Sequence, residues 1–476
     1  MERHGRRNKE IHMVGREREI QFLRDFYDNT DTNVMAVTGR SGIGKTALVK
    51  EFVKDRQCIY FSAYSTTEMH QRALFAKIVG LDDEEPTLDQ IFGKVTEMSE
   101  EGTAVLVIDH YADFAKTDKA FPAALHQYMA EKWQKGSVKL ILIDSSYIQM
   151  EKAVYGNKAV WKDLSPQVLP LGPLYFDEAV KMLPEATRLI QSELYGITGG
   201  IPVLLQIASE ELKNNTENAV WRMIERIFLS EFFDFKGSAE NILEKELREK
   251  AYYDRLMYSL AQGYQRVNQL SEKLGRPKDV VVPYLSTLMK LGLVTKENPV
   301  TEPTNRRKTR YSLVSDYDRF WYQIVIARYD EFCRGDEQAI KEYWESHLES
   351  YMKPVFVRIC HEYLARKSEN KKLPFSVRNI GSWWENDEST GKSEGFDLMA
   401  TGEAEGKSAY IFARCFFQEK QVDMMDVKEL IDLTKKIHNK ISTFYLFFSV
   451  SGFAENVQTV SQTIRNIMLI DLKDML

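Results

Sequence analysis

An apolar run, Val34-Met35-Ala36-Val37, is followed by Gly39-Arg40-Ser41-Gly42-Ile43-Gly44-Lys45-Thr46 and then by the helix-forming stretch Ala47 to Phe52. The octapeptide has the form G-x-x-x-x-G-K-T, which demands a strand before it and a helix after it. Its glycines let the backbone curl so that N–H groups converge on one point. The helix that begins near Gly44 adds its positive end. Such a loop is built for a polyphosphate: Gly39, Arg40, Ser41, Gly42, Ile43 and Gly44 line it, Lys45 reaches the β- and γ-phosphates, and the Thr46 hydroxyl faces Mg²⁺. The ligands predicted are ATP and Mg²⁺.

The surrounding pattern agrees. Between residues 14 and 175 further short apolar runs, Cys58–Phe61, Val105–Ile108 and Lys139–Ile143, alternate with helix-length segments. This spacing predicts a parallel sheet with helices on both faces. Ala104-Val105-Leu106-Val107-Ile108-Asp109 is an apolar strand ending in a carboxylate, the Walker B pattern, and Asp109 is expected to hold the Mg²⁺ indirectly at the strand's end. The next residue is His110. A neutral imidazole can accept a proton near neutrality, which makes His110 a candidate to orient the attacking water beside Lys45 and Asp109. The preferred reading is that His110 is a tolerated polar residue and that hydrolysis is slow.

Composition bounds the rest. At about 150 residues per domain, 476 residues suggest roughly three domains, and an apolar fraction of 43% suffices for several cores. A net charge of −6 means that any nucleic-acid contact must come from a local basic patch. Cys58, Cys333, Cys360 and Cys415 show no C-x-x-C spacing, so neither a zinc ribbon nor a disulfide framework is indicated. No apolar stretch follows the basic Met1–Arg7, and no run is long enough to span a membrane. The expected location is cytoplasmic. The expected divisions are a basic tail over 1–13, a core over 14–175, a helical segment over 176–250, a compact module over 251–316 and a final domain over 317–476. Glu385 to Lys407, rich in Glu, Gly, Ser and Asp, reads as loops.

Within 251–316 three helices are expected, at Tyr253–Ala261, Val267–Leu274 with Gly275 closing it, and Val280–Leu291, followed by a hairpin that returns along Arg310–Val314. That order matches a winged helix-turn-helix. Arg276 and Lys278 stand near the third helix, and Arg306, Arg307, Lys308 and Arg310 make a basic wing suited to the phosphates of duplex DNA. Asp279, Val280 and Val281 are a poor set for reading bases. The competing reading is a protein-binding or intramolecular module.

Met13-Val14-Gly15-Arg16-Glu17-Arg18-Glu19-Ile20 resembles the box that opens the archaeal-type ATPase family of the STAND/AAA+ class. The resemblance implies that Val14, Gly15 and Arg16 pack against adenine and ribose. Leu140–Ser146 is similar to the family's sensor strand, with Ser145 near the γ-phosphate. Asn157-Lys158 stands where the family carries an arginine after Tyr-Gly, so no arginine sensor is expected. Thr198-Gly199-Gly200-Ile201-Pro202 resembles the helical lid's G-x-P element, and Asp316–Tyr322 resembles the family's junction. The chain beyond it resembles the PD-(D/E)-x-K nuclease superfamily: Trp383-Trp384 and Asp397 fit, but Gly395, Arg414 and Phe416 replace a carboxylate, a second carboxylate and a lysine. The expectation is therefore a P-loop NTPase core with a helical lid, a winged helix-turn-helix, and a C-terminal α/β restriction-endonuclease-like domain without nuclease activity. Three functions compete: an ATP/Mg²⁺-dependent switch engaging DNA, a protein partner or a second copy of itself; an ATP-gated nuclease; and a scaffold that holds nucleotide with little turnover.

Overall fold

Each of the four apolar runs forms a strand, and a fifth joins them. In the computed structural model these are β1 (Val34–Thr38), β2 (Cys58–Ser62), β3 (Ala104–Asp109), β4 (Val138–Asp144) and β5 (Gln167–Pro170), in the order β2-β3-β4-β1-β5, with every pairing parallel. The structure describes residues 13–475 except 134–135, 215–217, 231–234, 236–237, 387–392, 436 and 438–441, so the expected basic tail, apart from Met13, lies outside it. Every residue of β1, β3 and β4 is buried. Alternate side chains of a strand point to opposite faces, so the sheet is covered on both. Helices α1 (Glu17–Asp28), α2 (Lys45–Val53), α3 (Glu68–Ile78), α4 (Leu88–Ser99) and α5 (Tyr111–Thr117) belong to this layer. The core over one face is aromatic, with Phe61, Phe75, Phe92, Phe114, Phe121 and Trp133 in one cluster. The fifth strand escapes a hydrophobicity scan because it is four residues long, ends in Pro170 and pairs only at the sheet's edge.

The chain divides into two units: one holds residues up to Leu174 with Ile201–Val203, the other Tyr175–Gly200 and Leu204 onwards. The second unit begins with α6 (Arg188–Thr198) and α7 (Pro202–Asn214), continues through α8 (Lys250–Ala261), α9 (Val267–Leu274) and α10 (Lys278–Lys290), and reaches an antiparallel pair, β6 (Val294–Glu297) and β7 (Arg310–Leu313). A 33-residue helix, α11 (Glu337–Glu369), follows. Then come β8 (Ser376–Asn386), β9 (Ser393–Ala404), β10 (Lys407–Phe416), α12 (Met424–Thr434), β11 (Ser442–Ser449), α13 (Glu455–Thr463) and β12 (Ile467–Asp471). Their sheet runs β12-β11-β10-β9-β8, antiparallel through β8, β9 and β10 and parallel beyond. The stretch expected as loops over 385–407 is thus corrected: residues 393–404 form a strand. Pairing on both edges and burial of Phe396, Leu398, Met399 and Ala400 outweigh the polar composition.

Helix α11 is fastened to the start of this unit by polar groups. The Tyr351 hydroxyl donates to the carbonyls of Gly196 and Asp316, both at 2.8 Å. Asp316 pairs with Arg358 and with Arg319 at 2.8 Å, and Glu362 accepts from the Phe176 amide at 2.9 Å and the Tyr195 hydroxyl at 3.2 Å. Breaking such a paired, desolvated group costs about 3–5 kcal/mol, because the partner charge is left behind.

Glu193 on α6 lacks a comparable partner among the groups that shift it, and burial pushes its carboxyl up to about 7. A folded-state value above the ordinary one means that stability is complete below the unfolded value and is lost as pH rises through 7. Glu193→Gln should therefore raise stability at pH 8 by on the order of 1–3 kcal/mol and by much less at pH 5, as read from urea unfolding at the two pH values.

Candidate functional site

The loop leaves the carboxyl end of β1 in a space that only glycine fits. A Cβ on Gly39 would stand 2.5 Å from the carbonyl oxygen of Leu171, directly after β5, and the residue sits at φ +150°. Gly44, at φ +95°, turns the chain into α2. Arg40, Ile43 and Lys45 are buried, while Ser41, Gly42, Gly44 and Thr46 are half-buried. The Lys45 ammonium donates to the Gly39 carbonyl at 2.6 Å and the Arg40 carbonyl at 3.1 Å. The Gly42 carbonyl accepts from the Val203 amide at 3.4 Å.

Arg16 is engaged by the protein's own backbone. It is buried and left-handed at φ 71°, and its guanidinium donates to the carbonyls of Ile43 at 3.2 Å and Gly172 at 2.6 Å while pairing with Glu19 at 2.8 Å. The side chain thus ties α1 to the loop and to the segment after β5 through backbone oxygens, in place of a free face for a base. Val14 and Gly15 remain half-buried in the turn before α1.

The Walker B carboxylate is saturated with donors. Asp109 Oδ2 accepts from the Thr46 hydroxyl at 2.8 Å and from the Tyr60 hydroxyl at 2.6 Å, and Oδ1 accepts from the His110 amide at 2.9 Å. Burial, and then the bond to Asp109, hold the Tyr60 phenol above its ordinary value, so it is a donor throughout the accessible pH range. Tyr60 was missed in the sequence, although Cys58, Tyr60 and Ser62 share one face of β2 beside β3. Burial also pushes the Cys58 thiol up to about 12, which keeps it protonated and unreactive. His110 is exposed and left-handed at φ 56°, and it opens α5. Asp144, at the end of β4, caps the Ala112 amide at 2.7 Å and the Ser146 amide at 2.8 Å. Ser145 is half-buried between them, and Asn157 and Lys158 are exposed. A hydroxyl and a carboxylate 2.8 Å apart at the mouth of a lysine-bearing amide loop form an oxygen donor set, which suits a hard cation such as Mg²⁺.

Residues 13–208 match the model of a family described as an ATPase domain predominantly from Archaea. The chain carries an archaeal-type ATPase domain. Residues 321–429, in the second unit, match a family of archaeal and bacterial proteins of unknown function. The chain is 24% identical over 435 residues to uncharacterized protein MJECL04 of Methanocaldococcus jannaschii, across 89% of this chain and 91% of that one. Among solved structures it is similar to a Walker-type ATPase, paby2304, of Pyrococcus abyssi, with a TM-score of 0.51 and 16% identity over 66% of this chain and 96% of that one. It also matches the Aeropyrum pernix ORC2 protein, with a TM-score of 0.46 and 14% identity over 69% and 96%. The likeness to the Pyrococcus protein shows the fold of the ATPase domain; the family match makes it a nucleotide-binding one.

Outside the ATPase domain, the basic residues singled out in the sequence separate into two sets. Arg276, Lys278, Arg306 and Arg307 are exposed. Arg276 lines a cleft of about 580 Å³ with Arg248, Lys250, Tyr252, Val280 and Tyr284. Lys308 pairs with Glu302 at 2.5 Å. Arg310 is half-buried, its guanidinium lies 4.2 Å from the ring centre of Trp384, and burial lowers it to about 10. The hairpin reaches β8 in two further places, where the Val300 amide donates to the Ser382 carbonyl at 3.0 Å and the Ser382 amide to Glu297 at 2.9 Å.

In the C-terminal sheet, Asp397 Oδ2 accepts from the Lys353 ammonium and the Cys415 amide, each at 2.8 Å. Lys353 comes from α11 and also lies over the ring of Phe416. A Cβ on Gly395 would meet the Trp383 carbonyl oxygen at 2.2 Å, so no carboxylate can stand there without moving the strands. Among the described residues no group of three His, Cys, Asp or Glu could hold a metal ion, and no helix is long and apolar enough to cross a membrane.

Two substitutions test these placements. Gly39→Ala should cost about 1–3 kcal/mol of stability and lower nucleotide affinity, measured by thermal unfolding and by titration with a fluorescent ATP analogue. Arg310→Ala should cost roughly 0.5–2 kcal/mol through its lost indole contact, whereas the exposed Arg306→Ala should stay within about 0.5 kcal/mol of wild type; equal effects in urea unfolding would contradict the assignment.

Proposed function

We propose that this protein is a cytoplasmic nucleotide switch: the ATPase domain holds ATP with Mg²⁺, hydrolyses it slowly, and thereby governs the engagement of DNA or a protein partner by the second unit. The observation that carries this reading is the intact phosphate loop with its Thr46–Asp109 pair, combined with an exposed His110 where a carboxylate would polarise water. The loop amides and Lys45 hold the phosphates, Thr46 and Asp109 the ion, and Ser145 stands near the γ-phosphate. Val14 and Gly15 flank the nucleoside, while Arg16 keeps the loop's shape. Bound Mg²⁺ supplies charge neutralisation on the β- and γ-oxygens. His110 is exposed to solvent and lacks the negative charge of a carboxylate base, which supports the reading of slow turnover.

We read α8, α9, α10 and the β6–β7 pair as a winged helix-turn-helix within 251–316, residues 176–250 as the lid, and 317–476 as a nuclease-like fold. Exposed Arg276, Lys278, Arg306 and Arg307 support phosphate contacts with duplex DNA. Against a nuclease speak the lysine that already neutralises Asp397 and the strand crossing that bars a carboxylate from position 395.

Lys45→Ala should abolish nucleotide binding at concentrations that saturate the wild type and remove any ATP effect on partner binding. Phosphate release should be slow in the wild type and rise at least about 10-fold in His110→Glu; brisk wild-type release would overturn the slow switch. In gel shifts on random duplex DNA across a salt series, Arg306→Ala/Arg307→Ala should weaken binding and flatten the salt dependence by about two charges, and no shift at all in the wild type would leave a protein as the partner. No Mg²⁺-dependent DNA cutting is expected.

A further inference from the structure

We infer that Tyr60 is a positioning residue of the ion site: its hydroxyl holds the Asp109 carboxylate in the orientation from which that carboxylate, with Thr46, meets Mg²⁺. The inference rests on the reading of Thr46 and Asp109 given above and extends it to a residue one strand away.

A carboxylate at the end of a strand can turn about its last bond, since that torsion has a broad, two-fold profile. Here both oxygens are fixed. The His110 amide takes Oδ1 at 2.9 Å, and Tyr60 and Thr46 take Oδ2 at 2.6 and 2.8 Å. The main-chain donor is built into the turn after β3, so among the described residues the adjustable donors are the two hydroxyls, and Thr46 is itself a ligand-bearing group on α2. Tyr60 reaches Asp109 from a strand of the sheet, whereas Thr46 reaches it from the helix that follows the loop. It sits in β2, whose parallel register with β3 sets Tyr60 beside Val107 and Ser62 beside Asp109. The Lys50 ammonium lies 5.2 Å from the centre of its ring, so the phenol is held between helix α2 and the sheet. Groups that orient a ligating carboxylate contribute about 10–100-fold to metal affinity.

Tyr60→Phe removes one oxygen and keeps the ring, the strand and the Lys50 contact. The test is binding of a fluorescent ATP analogue to the full chain, in EDTA and then across a Mg²⁺ titration, for wild type, Tyr60→Phe and Asp109→Asn. The expected result is unchanged affinity in EDTA and a Mg²⁺ midpoint raised about 10-fold in Tyr60→Phe, with the Mg²⁺ dependence lost in Asp109→Asn. A midpoint within about twofold of wild type in Tyr60→Phe, alongside a clear loss in Asp109→Asn, overturns the inference and leaves the ion site standing. Equal loss of affinity in EDTA and in Mg²⁺ assigns Tyr60 to the shape of the loop and also overturns it. A wild type indifferent to Mg²⁺ removes the ion site itself, and this inference with it.

Discussion

The contact between Gly39 and the Leu171 carbonyl governs everything around the loop. β1 is flanked by β4 and β5, and the chain leaving it must pass within van der Waals contact of the chain leaving β5. With no side chain at position 39 the two segments close, the loop turns inward, and α2 begins where its amides point at the same space as Lys45. Arg16 completes the closure from below by donating to a carbonyl of each segment. The glycine is required by packing as much as by φ, and the strain of a left-handed Arg16 is offset by those two buried carbonyl bonds.

The second unit shows the same economy with charge. Asp316 pairs with Arg319 and Arg358, and Glu362 and the Tyr195 and Tyr351 hydroxyls extend the contacts, so that the long helix, the junction before it and α6 share one network. On the same helix, two residues after Tyr351, Lys353 pairs with Asp397 of the C-terminal sheet. Among the described residues the sheet thus has its own tethered cation, and the acidic side chain is stable without one from solution.

The phosphate loop, the Walker B strand and four of the five parallel strands were legible because each is a contiguous pattern: glycine spacing, an apolar run, a terminal carboxylate. What was not legible depends on residues distant in the chain. Tyr60 is one tyrosine on a half-buried strand until the sheet brings its hydroxyl within reach of Asp109. Arg16 lies in a recognisable motif, but its two acceptors come from residues 43 and 172. Arg310 reads as a basic wing residue until Trp384 is found against it. β9 was hidden by its polar composition, since a strand paired on both sides needs only alternate residues to be apolar. The gaps in the resembled pattern at Gly395, Arg414 and Phe416 were readable, whereas the close strand contact at Gly395 and the Lys353–Asp397 pair were not.

The docking of the β6–β7 hairpin on β8 has a consequence for how this chain can be cut. A boundary drawn at residues 316 and 317 follows the sequence pattern, yet it severs the Arg310–Trp384 contact and both hydrogen bonds to Ser382. A fragment beginning at 317 would uncover the indole of Trp384 and free the Ser382 amide and carbonyl on the edge strand β8, adding to an edge at which sheets can associate. The hairpin thus packs as an extension of the C-terminal sheet, and a fragment that keeps this face of β8 covered has to reach upstream to β6.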